Sequence, residues 1–244
     1  MEITEDGFLG GRIVVRQPRD GFRSGTDAVM LAAAVPARAG DDVLELGCGV
    51  GSASLCLAAR VRDCRITGIE IAPGLITIAN ENAHANRLDD RVRFEQADVL
   101  QLPKDLRKSF DHVFCNPPFH QVSGEVSPNA DRARAVSDRE GLGNWIETGF
   151  ARVAADGTLT AILRADRLVD ALQIAPRHGI CLFPLWARAG QPAKRIILQM
   201  HKNSHAPLRF AAGLILHEDD GAYTPQADAV LRNAASLALT TPRL

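Results

Sequence analysis

Several features that announce a class of protein are missing from this sequence. Its five cysteines, Cys48, Cys56, Cys64, Cys115 and Cys181, are odd in number, dispersed and never spaced as Cys-x-x-Cys. Neither a disulfide framework nor a zinc knuckle is suggested, and a reducing compartment fits best. No segment approaches the roughly 18 to 20 unbroken apolar residues of a membrane span, and the acidic stretch Met1 to Gly11 has no apolar signal core. The expectation is a soluble, unexported, cytoplasmic protein with no membrane partner. A basic excess is missing too: 28 Lys and Arg stand against 29 Asp and Glu, for a net charge of -1. Overall charge therefore neither marks nor excludes a nucleic-acid binder. There is no internal repeat and no low-complexity tract.

What is present is a composition ordinary for a globular domain, 46% hydrophobic and 23% charged over 244 residues, enough to bury one sizeable core. A single domain spanning 1–244 is expected, with 1–36 as an N-terminal hairpin and helix and 37–244 as the core. The run Arg12 to Gln17 reads as part of a hairpin turning at Pro18 to Gly21, and Thr26 or Asp27 as the cap of a helix over Ala28 to Val35, ended by Pro36. Short apolar runs then alternate with helix-length segments: strands at Asp42 to Leu46, Arg65 to Glu70, Val92 to Ala97 and Asp111 to Cys115, helices at Gly51 to Ala59 and Pro73 to Asn86. That rhythm predicts an α/β fold with a doubly wound, mainly parallel sheet. A polar loop over Gln121 to Asp138 follows, then a helix around Leu142 to Ala154, a strand at Thr158 to Leu163 and a helix at Asp166 to Ala175. Ile180 to Ala187 and Lys194 to His201 read as a C-terminal antiparallel hairpin.

Two motifs carry chemistry. In Glu45-Leu46-Gly47-Cys48-Gly49-Val50-Gly51 three alternate glycines follow an expected strand and open an expected helix, where the backbone must turn tightly and approach a ligand. A dinucleotide fingerprint needs Gly-x-Gly-x-x-Gly/Ala, and counting from Gly47 or Gly49 puts Ser52 or Ser54 in its last place, which weakens an NAD reading. Glu70 ends the next strand, where a carboxylate can accept from both hydroxyls of a ribose, and Asp98 follows the third. The second motif, Asn116-Pro117-Pro118-Phe119, ends the fourth strand. Two prolines remove two backbone donors and leave a stiff, acceptor-rich corner. The Asn116 amide oxygen and the Pro117 carbonyl can both accept from one exocyclic amine, with Phe119 stacked on its ring. Asn116, Pro117 and Phe119 are thus the candidate catalytic residues, and no strong general base is demanded of them. His201 and His205, four residues apart, have no acidic neighbour to complete a metal set, so no metal is expected. His120 reads as a solvated loop residue or a lining of the substrate pocket. Arg132, Arg134 and Arg139, interleaved with acids, fit either phosphate contacts or mutual pairing, and residues 123–213 carry a surplus of four basic groups.

These motifs, with Gly21-Phe22-Arg23-Ser24-Gly25-Thr26-Asp27-Ala28 before them and Pro192-Ala193-Lys194-Arg195 after, resemble the bacterial tRNA(Val) adenine N6-methyltransferase family along nearly the whole chain. The resemblance implies a Rossmann-like methyltransferase that uses S-adenosyl-L-methionine, with Glu45, Gly47, Gly49 and Gly51 at its methionine end, Glu70 at its ribose and Asp98 at its adenine. Arg23, Thr26, Asp27 and Asn116 look like further cofactor contacts, the front segment folding over the cofactor. The implied partner is RNA, tRNA first. Phe119 stands where that family usually has Tyr, and Asn-Pro-Pro-Phe-His is similar to ribosomal RNA guanine N2-methyltransferases. An Asn-Pro-Pro-aromatic turn also occurs in enzymes that methylate a glutamine amide of release factors. With no added RNA-binding module, RNA would be gripped by the catalytic domain, through Arg188, Lys194 and Arg195 and the loop after Phe119.

Overall fold

The computed structural model describes residues 2–21, 23–118 and 141–239. The expected loop over 121–138, with Phe119, His120, Arg132, Arg134 and Arg139, lies outside the described residues.

A hairpin of β1 (Ile3–Phe8) and β2 (Ile13–Pro18) leads into helix α1 (Thr26–Ala34). There follow β3 (Asp42–Leu46), α2 (Ser52–Arg60), β4 (Arg65–Glu70), α3 (Pro73–Ala85), β5 (Val92–Gln96) and β6 (Phe110–Cys115). A helix over 141–152, α4, precedes β7 (Val153–Arg164), α5 (Leu168–Leu172), β8 (Ile180–Trp186) and β9 (Arg195–His201). Two-residue strands β10 (Arg209–Phe210) and β11 (Leu214–Ile215) and helix α6 (Pro225–Asn233) complete the described chain.

The main sheet runs β10-β8-β9-β7-β6-β3-β4-β5, with β11 also on β8. All its pairings are parallel except the two made by β9, which lies antiparallel between β7 and β8. Successive residues of each central strand enter opposite cores. Val43, Phe114, Ile162 and Ile197 join α1, α2, α3, α6 and the hairpin on one face, while Leu44, Val113, Ala161 and Leu198 join α4 and α5 on the other. A parallel strand covered by helices on both faces has no polar side to show, which is why these runs are continuously apolar.

The structure corrects four boundaries. The hairpin turns at Leu9–Gly11, where Gly10 and Gly11 have φ of 67° and 86°; Pro18 to Gly21 is the exit toward α1. No side chain caps α1: Gly25 precedes it, and Asp27 spends its carboxylate on Arg195, 2.8 Å away. β7 starts at Val153 because its first residue pairs with Phe110, which ends α4 earlier than expected. The helix expected to reach Ala175 closes at Leu172, since Pro176 disfavours helical backbone at the residue before it.

The C-terminal part of the described chain folds back onto the N-terminal part. α6 is capped by the Thr224 hydroxyl, which accepts from Ala227 N, and it packs on α1 and the hairpin turn, where the Leu237 amide donates to Ala33 O and the Arg12 guanidinium to Asn233 O. No helix among the described residues is long and apolar enough to cross a membrane.

Candidate active site

β3 and β6 are neighbouring parallel strands, with Leu46 opposite Cys115, so the turns that leave their carboxyl ends emerge side by side. Here the strand order reverses direction, the place where open α/β sheets bind ligands. The glycine turn and the diproline corner line one cavity of about 1130 Å3.

The three glycines are required for three different reasons. All have φ in the left-handed region, at 66°, 55° and 86° for Gly47, Gly49 and Gly51. A Cβ on Gly47 would lie 2.4 Å from Cη2 of Trp145, and one on Gly51 2.4 Å from Cζ of Phe94, so those two make room for aromatic rings. A Cβ on Gly49 would meet nothing within 4 Å: this is the glycine that leaves space for a ligand. Glu70 then ties the turn to the next strand, one carboxylate oxygen accepting from Gly49 N at 3.2 Å and the other from Ala72 N at 3.0 Å.

Glu45 lines the cavity but is buried beneath it. Both the amide and the hydroxyl of Ser54 in α2 donate to its carboxylate. Burial pushes its pKa up to about 8 against those two hydrogen bonds, with the Glu70 charge a smaller contribution in the same direction. Asp98 lines the cavity as well and uses one oxygen to accept from Leu100 N at 2.8 Å, capping a short helical turn. The same cavity is lined by Ile71 and Leu100, exposed apolar side chains that follow β4 and β5 in the chain.

Asn116 and Pro117 line the cavity from β6, and the Asn116 amide makes no hydrogen bond among the described residues. Because Pro117 and Pro118 have no N–H, this corner offers acceptors and supplies no backbone donor at those two positions. Phe119, the third candidate, lies outside the described residues.

The front segment contributes differently from expectation. Ser24 and Ala28 line the cavity, whereas Arg23, Thr26 and Asp27 do not. The Arg23 guanidinium is bound into the hairpin, donating to Asp6 at 2.6 Å, Thr4 at 2.7 Å and Pro18 O at 3.1 Å. Asp27 is bound to Arg195, which itself lines the cavity together with Arg164 and Trp145. The sequence reading missed Trp145 and Arg164 as cavity residues. Trp145 had a signal, one of only two tryptophans, next to the buried face that Leu142 and Ile146 form on α4. Of the other cations expected to meet RNA, Arg188 donates to the carbonyls of Glu218 and Asp219, and Lys194 is exposed. His201 ends β9 with Nε2 at 3.1 Å from Gln199 Oε1, and no cluster of three or more potential metal ligands occurs among the described residues.

A sheet with this strand order, a glycine turn after its first core strand and a diproline corner after its fourth has the Rossmann-like methyltransferase fold. A family model described as a methyltransferase domain accordingly matches residues 43–141. More particularly, the chain is similar to the tRNA1(Val) (adenine(37)-N6)-methyltransferase of Haemophilus influenzae, at 24% identity over 89% of this chain and 93% of that protein. Among solved structures it is similar to a predicted O-methyltransferase of Agrobacterium tumefaciens, at 25% identity and a TM-score of 0.72, covering 86% of this chain and 98% of that one. It shares its fold with TrmN of Thermus thermophilus, at 19% identity and a TM-score of 0.53 over 72% of this chain and 48% of that one.

Proposed function

We propose that the protein transfers a methyl group from S-adenosyl-L-methionine to an exocyclic amine of a nucleobase, adenine N6 of tRNA before others. The carrying observation is the Asn116 amide, uncommitted among the described residues, in the cavity that Pro117 and the glycine turn also line. The cofactor fits the other half of that cavity on three counts: the open space at Gly49, the Glu70 carboxylate fixed at a strand end, and the apolar side chains of Ile71 and Leu100, which line the same cavity as Asp98. When bound, it supplies an electrophilic methyl group on a sulfonium.

The chain's own part is alignment. Two acceptors fixed by proline geometry hold the two N–H bonds of an amine, point its nitrogen along the approach to the methyl group and oppose its conjugation with the ring. The amine sheds its proton after transfer, so Asn116 has no need to act as a base. An oxygen acceptor would call for a base beside Asn116. Among the described residues the cavity's carboxylates, Asp20, Glu45, Glu70 and Asp98, come instead from the N-terminal segment, from β3 and from the ends of β4 and β5. The amine reading therefore stands ahead of the hydroxyl one.

The test uses tRNA from cells lacking this protein. Asn116→Ala is expected to cut methyl incorporation by about 100-fold or more while cofactor affinity stays within a few-fold of wild type, as measured by calorimetry. Failure of the wild-type protein to methylate that tRNA, or equal rates for wild type and variant, would overturn the proposal.

A further inference from the structure

The cavity's two arginines stand on the other side of Asn116 from the three acids that the sheet strands and their ends contribute. Across the sheet, Glu70 and Asp98 stand at the ends of β4 and β5 and Glu45 in β3; Asn116 follows β6 in the middle; Arg164 ends β7 and Arg195 begins β9. Arg164 and Arg195 are direct cross-strand partners in the antiparallel β7–β9 pair. Two like charges placed opposite each other in a ladder are destabilising, so the arrangement calls for a reason beyond folding.

Each arginine is steadied by its own carboxylate. Arg164 donates Nε and Nη2 to Asp166, at 3.0 and 2.5 Å, and Arg195 donates Nε to Asp27 at 2.8 Å and Nη1 to Lys194 O at 3.4 Å. Arg164 Nη1 and Arg195 Nη2 have no hydrogen bond among the described residues, and the two side chains are 36% and 37% exposed. Two pre-oriented guanidinium groups with open N–H groups, on the first and second strands beyond β6 and so about 5 and 10 Å across the sheet from it, suit an anionic oxygen cluster beside a group held at Asn116.

We infer that Arg164 and Arg195 form a phosphate subsite that holds the RNA backbone next to the target nucleoside. This rests on the nucleobase reading above and adds to it the side from which the acceptor enters, over β7 and β9. Asp27 and Asp166 are positioning residues here, fixing the planes without meeting the ligand. A phosphodiester displaces no cofactor group, because the acids that suit the cofactor lie on the far side of Asn116.

The experiment measures anisotropy of a labelled, unmodified tRNA anticodon stem-loop against salt for wild type, Arg164→Gln and Arg195→Gln, with methyl transfer followed on the same RNA. Each variant is expected to bind several-fold more weakly and to lower the salt slope by about 1, the signature of one lost phosphate contact. S-adenosyl-L-methionine affinity is expected to stay unchanged in Arg164→Gln, which also controls for Arg195→Gln loosening α1. Unchanged salt slopes, or no RNA binding by wild type, would overturn the subsite. Wild-type binding without methyl transfer, the slopes behaving as expected, would overturn the nucleobase function and leave the subsite standing.

Discussion

Single residues in the glycine turn separate the demands of packing from those of ligand binding. Gly47 and Gly51 each have an aromatic ring where a side chain would begin, so an alanine there adds a collision to a left-handed backbone that costs an L-residue about 1–2 kcal/mol. Gly49 has the same backbone conformation and no neighbour at all. Gly49→Ala is therefore expected to lower stability by about 1–2 kcal/mol, and to weaken S-adenosyl-L-methionine binding by about tenfold or more because its methyl group projects into the cavity. Gly47→Ala is expected to cost more stability than Gly49→Ala, through Trp145. Denaturant melts paired with calorimetry check both, and a Gly49→Ala protein that binds the cofactor like wild type would remove Gly49 from the ligand's path. The spacing of the glycines was legible in the sequence; the division of labour among them was not, because it is set by Trp145 and Phe94, residues 98 and 43 positions further along the chain from their partners.

Elements were legible wherever periodicity and local chemistry set them. β3 and β4 fall at the expected residues, and α2, α3, β5 and β6 within one or two, because their apolar runs are bounded by glycine, proline and charged residues. What escaped was contact between distant elements. Asn82 on α3 and Asn86, the residue just past its C-terminal end, act as a surrogate strand for the edge of β2. Asn86 Oδ1 accepts from Val14 N and its Nδ2 donates to Val14 O; Asn82 Oδ1 accepts from Arg16 N and its Nδ2 donates to Arg16 O and to Val50 O in the glycine turn. Two asparagines at the end of a helix read locally as indifferent surface residues, yet Asn82 is fully buried. Asn82→Ala leaves the amide and carbonyl of Arg16 and the carbonyl of Val50 unpartnered, at about 1–3 kcal/mol for a lost buried partner. The expected result is a loss of about 2–4 kcal/mol, with faster amide exchange concentrated in residues 3–18 and 47–51. Uniform exchange across the sheet would contradict the surrogate-strand role.

At the scale of the molecule, the two ends of the described chain meet on one face of the sheet. The hairpin, α1 and α6 come from opposite ends of the sequence and share one apolar cluster with α2 and α3, so the segment that lines the cavity through Ser24 and Ala28 is braced from behind by residues more than 190 positions away. None of this closure was read from the sequence, although Thr224-Pro225 is a helix start by its own chemistry, a hydroxyl cap followed by proline in the first turn. Two-residue strands such as β10 and β11 are too short to show a period, and the partner that orders them, β8, is distant. Leu231 tests the brace because it is buried in α6 and lines no part of the cavity. Leu231→Ala is expected to cost about 2–4 kcal/mol. In a chain of this size that lowers the melting temperature by roughly 4–15 °C. If α6 supports the cavity wall through α1, the variant should bind S-adenosyl-L-methionine more weakly even at temperatures where it is fully folded, and saturating cofactor should restore its rate of methyl transfer. A variant that loses stability with no change in cofactor affinity would reduce α6 to a cover over the core.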